Sequence, residues 1–106
     1  KGPQTAMKIS DLRPGLLVQQ NVTITSGTRE SRNGSSSLLF RVCSIHDTHV
    51  TCQWLFTRMR GGEAHFPSRT AVYTFTTDEV RARLQPAAQP LANHYAAALK
   101  ARKVVG

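Results

Sequence analysis

This sequence predicts a small, mostly β domain, a twisted antiparallel sheet or partly open barrel with a C-terminal helix. Three observations carry that prediction. Short segments rich in β-branched and aromatic residues recur through the middle of the chain, separated by Gly, Pro, Asn and Ser. Apolar residues at helical spacing come only toward the C-terminal end. The chain has 106 residues, 40% of them apolar, which is enough for one core and too little for two. Residues 1–106 therefore read as one domain: a lead-in over 1–15, a β core over 16–85, and a linker and helix over 86–106.

The elements follow in order. Arg13-Pro14-Gly15 is a turn signal. Residues 16–25 read as a strand, with Leu16, Val18, Val22 and Ile24 on even positions. Residues 28–37 contain no apolar side chain and hold Asn33-Gly34 and four serines, which predicts an exposed, mobile loop bearing Arg29 and Arg32. Residues 38–45 and 49–56 are two further strands. Only Asp47-Thr48 need separate them, so they predict a hairpin in which directly opposed residue numbers sum to 95. Residues 57–69 form a basic connection with Arg58, Arg60 and Arg69, and residues 70–76 a fourth strand. Thr76 and Glu79 have capping-box spacing, and Val80 and Leu84 stand at i, i+4, which predicts a short helix or turn from Asp78 until Pro86 stops it. After a linker over 86–90, a helix over 91–103 starts behind Pro90 with Leu91, Tyr95, Ala98 and Leu99 as its apolar stripe.

Charge is the first functional signal. Fourteen Lys+Arg against six Asp+Glu leave +8, of which residues 1–53 carry +3 and residues 54–106 carry +5. A surplus spread in this way predicts a polyanionic partner such as DNA, RNA or a nucleosome. No apolar run approaches the ~18–20 residues of a membrane span, and no membrane contact is expected. No signal segment stands at Lys1 and no lipidation motif at either end. The ends read as cut points within a longer chain, beyond which a localisation element can lie. Two cysteines make no disulfide framework, and a reducing, intracellular compartment is the simpler expectation over a secreted one. The triplets Asn21-Val22-Thr23 and Asn33-Gly34-Ser35 match glycosylation sequons, a pattern that arises readily by chance in a Ser/Thr-rich chain.

Cys43, His46, His49 and Cys52 have the regular spacing of zinc ligands. Strand parity separates them. In the sum-95 hairpin Cys43 opposes Cys52 and His46 opposes His49, and a step of three along a strand changes face. The cysteine pair and the histidine pair then point to opposite sides, so no metal or other cofactor is expected. The same separation removes a Cys–His catalytic pair. Nucleotide-binding, hydrolase and metalloprotease motifs are missing, and the six acids fall mostly in predicted turns or caps. The expectation is a protein that is not an enzyme.

The richest stretch is Val50-Thr51-Cys52-Gln53-Trp54-Leu55-Phe56-Thr57-Arg58. Alternation puts Val50, Cys52, Trp54 and Phe56 on one face, with Arg41 close enough to stack on Trp54. Tyr73 and Phe75 share a face one strand later. Such aromatics beside arginines can cage a methylated lysine or stack single-stranded bases, and they can equally be core.

Residues 39–75 resemble the middle of a bromo-adjacent homology (BAH) domain. The resemblance lies in the strand that runs from Val50 to Arg58, and in Ala71-Val72-Tyr73-Thr74-Phe75 as the family's later aromatic strand. Pro14-Gly15 stands where the family has Gly-Asp, and no acid matches at Arg60. Only Trp54 and Tyr73 carry over as cage residues. The resemblance implies a nuclear, non-enzymatic chromatin module. Its expected partners are a histone tail or nucleosome, DNA or RNA, or other chromatin proteins. Trp54 and Tyr73 would form the aromatic pocket, and Arg29, Arg32, Arg58, Arg60 and Arg69 a basic rim. Two other readings stay open: an OB- or SH3-like barrel that binds single-stranded nucleic acid, and a protein-interaction domain of a larger assembly.

Overall fold

The computed structural model describes residues 7–24 and 34–105. It is the open-sheet form of the predicted fold: six antiparallel strands that do not close into a barrel, with a C-terminal helix. The strands are β1 (Leu17–Ile24), β2 (Gly34–Ile45), β3 (His49–Arg58), β4 (Ala64–His65), β5 (Val72–Thr76) and β6 (Gln85–Pro86). The helices are α1 (Thr77–Arg83) and α2 (Gln89–Val105), preceded by a single 3₁₀ turn at Ile9–Asp11. The order across the sheet is β4-β3-β2-β1-β6, and β5 also pairs with β3, in line with β4.

Several predicted boundaries move outward. The β1–β2 ladder keeps its register through eight pairs, from Leu17↔Arg41 to Ile24↔Gly34. It therefore takes in residues 34–37, which composition alone assigns to a loop. Cross-strand pairing outweighs the weak strand preference of serine there. The rest of that expected loop, with Arg29 and Arg32, lies outside the described residues. The turn at Arg13-Pro14-Gly15 forms as expected: Gly15 takes φ +92° and donates its N–H to the Val42 carbonyl at 2.8 Å. The basic connection after β3 is partly ordered into a hairpin, with Thr57↔His65 and Arg58↔Ala64 paired. Its turn is closed by Met59 N–H to the Glu63 carbonyl, with Gly62 at φ +95°.

The β2–β3 hairpin is predicted correctly at both ends and shifted in the middle. Ile45↔Val50 and Leu38↔Thr57 keep the sum of 95, but Val42↔Cys52 and Phe40↔Trp54 sum to 94. Two β-bulges make the change, with Cys43 extra on β2 and Leu55 extra on β3. Side-chain hydrophobicity explains them. A strict sum of 95 would set Cys43 and Arg41 on the core face opposite Cys52 and Trp54. The shift puts Val42 and Phe40 there instead, and both are buried while Arg41 and Cys43 are exposed. The second bulge restores the register, and it also moves Phe56 off the Cys52 face onto the other side of the sheet.

Both faces of the sheet are covered. On one, Val18, Phe40, Val42, Val50, Cys52 and Phe75 pack with Met7 and Leu12 of the lead-in and Val80 and Leu84 of the α1 segment. On the other, Leu39, Leu55 and Phe56 pack against Leu91, with Tyr95 and Phe66 around them. The predicted capping box holds the start of α1: Thr76 Oγ1 accepts from Glu79 N–H at 3.2 Å, and Glu79 Oε1 accepts from Thr76 N–H at 2.9 Å. The expected linker contains β6, which pairs with Val18 and Gln19. Buried Gln19 then accepts from Ala88 N–H at 2.7 Å and so fixes the entry of α2. Among the described residues, no buried side-chain polar atom lacks a partner, and no helix is long and apolar enough to cross a membrane.

Candidate functional site

Phe56 seats α2. Its ring is fully buried, with centroids of Tyr95 at 5.2 Å, His94 at 5.5 Å and Phe66 at 5.8 Å. Leu91 and Tyr95, at i and i+4, turn to the sheet, and the same helical stripe carries Arg102 two turns beyond Tyr95. Arg102 stacks on Phe66, its guanidinium carbon 4.2 Å from the ring centroid.

Between α2, the middle of β3 and the segment after β4 lies a groove of about 250 Å³. Trp54, Phe66 and Tyr95 bring aromatic surface to it, and Arg41, Arg69 and Arg102 bring charge. No aspartate or glutamate lines it. Among the described residues, the ion pairs involve Arg81, Arg83 and His65, and none of the groove arginines. Arg41 is steered by a hydrogen bond from its Nη2 to Gln53 Oε1, 3.2 Å. Three guanidinium groups thus face one concavity without a compensating carboxylate, and the local potential is positive.

Trp54 stands just before the Leu55 bulge and keeps the face it shares with Cys52 and Phe40. Half-buried, it packs on the first core cluster and also lines the groove, and its Nε1 donates to Thr57 Oγ1 at 2.9 Å. Arg41 does not oppose Trp54 across the ladder, as the unbulged register required; it opposes Gln53. Tyr73 is elsewhere: it opposes Cys52, meets Phe40 edge-on at 5.9 Å, and does not line the groove. Of the expected basic rim, Arg69 is in the groove, Arg58 is in β3 facing Ala64, and Arg60 is exposed on the hairpin turn. Arg29 and Arg32 lie outside the described residues. Sequence pattern marks Tyr95 only as part of an apolar stripe, and it marks neither Phe66 nor Arg102. For Arg102 a signal exists, since the Leu91–Tyr95 stripe extends to it at helical spacing.

The four candidate zinc ligands do not converge. Cys52 is buried and opposes Val42, whereas Cys43 is the exposed bulge residue. His46 and His49 stack at 4.4 Å beside the hairpin turn. Among the described residues, no three His, Cys, Asp or Glu side chains are placed to hold a metal ion. Burial, with Cys43 nearby as a smaller cause, pushes the Cys52 thiol up to about 12 from 9.0, so it stays protonated near neutral pH. Comparison with protein-family models, curated proteins and solved structures returns no match, so the BAH resemblance rests on the residue pattern alone.

Proposed function

We propose that this chain is a non-enzymatic binding module that engages nucleic acid through the Arg41–Arg69–Arg102 groove, either as a single strand or as the DNA of a nucleosome. The observation that carries it is the set of three guanidinium groups and three aromatic rings lining one groove with no carboxylate. Arginines contact phosphates and aromatic faces stack bases, so one concavity supplies both parts of the recognition. A nuclear, chromatin-associated setting belongs to the same proposal, through the BAH resemblance and the overall charge of +8.

The sign of the groove selects the face of the nucleosome. A methylated lysine gains roughly 0.5–2 kcal/mol from aromatic faces. Each arginine within a few ångströms opposes that cation by about 1 kcal/mol even at the dielectric of water. Three arginines therefore outweigh the cage attraction, and the same terms favour a phosphate. This supports contact with DNA or RNA over a cationic histone tail.

The test is fluorescence anisotropy with a labelled single strand, the matching duplex and nucleosome core particles, each over a salt series. Binding that weakens steeply with salt is expected. The triple variant Arg41→Gln, Arg69→Gln, Arg102→Gln should flatten the log–log salt slope for single strands by roughly 2, about 0.7 for each phosphate that is no longer neutralised. No binding to any of the three, or an unchanged slope in a folded triple variant, refutes the proposal.

A further inference from the structure

We infer that the chain self-associates through β5, by antiparallel pairing of Val72–Thr76 with the same strand of a second copy, with Tyr73 on the two-fold axis. This rests on the free edge of the sheet and not on the groove.

The backbone pattern defines the edge. On its inner side β5 bonds to β3: Trp54 N–H donates to the Ala71 carbonyl and Thr77 N–H to the Thr48 carbonyl. Both bonds fit the register Cys52↔Tyr73. In an antiparallel ladder hydrogen-bonded and non-bonded pairs alternate. Residues 71, 73, 75 and 77 therefore bond inward, and the N–H and C=O of Val72 and Thr74 point outward. The next outward N–H, that of Thr76, is already taken by Glu79 Oε1. Among the described residues β5 pairs with β3 only, so this edge is open.

The side chains agree. Val72 is 55% and Tyr73 47% exposed, the two most exposed large apolar side chains described. Val-Tyr-Thr-Phe-Thr has no charge, Pro or Gly, and so lacks the usual protections of an edge strand.

The edge fits a copy of itself. Two outward residues flank Tyr73, so Val72 of one copy bonds with Thr74 of the other, and the reverse. All four N–H and C=O pairs are matched, and the ladder stops where Thr76 is sealed. Tyr73 then faces Tyr73 in a non-bonded pair, where Cα atoms approach to about 4.5 Å and side chains are closest. The flanks are complementary as well. Arg69 precedes Tyr73 and Asp78 follows it at similar distances along the chain. Antiparallel pairing thus sets the basic flank of one copy beside the acidic first turn of α1 in the other. Asp78 already pairs with Arg81 at 2.9 Å, and its side chain stays 89% exposed.

The experiment is sedimentation velocity on the 106-residue chain from low micromolar to near-millimolar concentration, with Tyr73→Lys and Thr74→Pro alongside. Lysine at 73 would face lysine on the axis, and proline at 74 removes one outward N–H. A dimer is expected for the parent chain, weakened at least ~10-fold in each variant that retains a cooperative melt. A register test needs no loss of function: in a Cys43→Ser background, Tyr73→Cys should form a disulfide-linked dimer faster than Val72→Cys or Thr74→Cys. A parent chain that stays monomeric throughout overturns the inference. So does a dimer unchanged in the folded variants, or cross-linking that shows no preference for position 73.

Discussion

Replacing Phe56 with alanine tests how the sheet, helix and groove are joined. Phe56 is fully buried and its ring meets Phe66, His94 and Tyr95 at centroid distances of 5.2–5.8 Å. Phe→Ala at a closed core site costs about 3–5 kcal/mol, the transfer free energy of the removed ring plus the cavity that remains. Three aromatic neighbours limit collapse into that cavity, so about 4 kcal/mol is the expected destabilisation. A chain of 106 residues has an unfolding entropy near 0.22 kcal/mol/K, about 2.1 cal/mol/K per residue. The substitution therefore lowers Tm by roughly 18 °C. Circular dichroism melting reads the shift, and hydrogen exchange reads its location, since α2 amides should lose protection before those of the β1–β2 ladder. Because domains of this size hold only about 5–15 kcal/mol in total, Phe56→Leu serves as a milder companion, expected to cost about 1 kcal/mol. A Tm drop below about 5 °C for Phe56→Ala, or equal loss of protection across the sheet, would refute the seating of α2 on Phe56.

Other outcomes follow from single features. Trp54, the sole tryptophan, reports on the groove: its fluorescence should be quenched by a single-stranded oligonucleotide, and Trp54→Phe should cost about 1 kcal/mol through its bond to Thr57. Unchanged emission at saturating oligonucleotide would remove it from the interface. The raised Cys52 pKa carries a sign. In the unfolded chain the thiol ionises near 9.0 while the folded one holds its proton to about 12, so stability falls as pH rises through that window. Urea midpoints at about pH 8 and about pH 10 should drop further for the parent chain than for Cys52→Ala. With a thiol reagent under native conditions Cys43 should react and Cys52 should not. Gly62→Ala at φ +95° should destabilise by about 1 kcal/mol in thermal melts, as should Thr76→Ala by loss of the α1 cap.

Much of this protein is local enough to read in one dimension. The strand segments, the turn at Arg13-Pro14-Gly15, the Thr76–Glu79 box and the Leu91–Tyr95 stripe depend on residues within one or two turns of each other. Their patterning survives in the fold with shifted ends. Elements that exist only by pairing were not legible. β6 is two residues long, Gln85–Pro86, and is a strand solely because Val18 and Gln19 lie beside it. Residues 34–37 are strand because the β1 partner continues.

The groove marks the same division more sharply. Basic charge and the aromatic content of residues 50–60 were determined by sequence alone, and with them the expectation of a polyanionic partner. Which arginines share a concavity was decided only by tertiary structure. A bulge at Cys43 turned Arg41 away from the core, and a bulge at Leu55 sent Phe56 to the opposite face from Trp54. Phe56 then drew α2, and Arg102 with it, to within reach of Arg69. Each bulge reverses the facing of every residue beyond it, because side chains alternate with a period of two. Its position is a compromise between the core demands of two strands, and neither strand's own pattern contains that compromise.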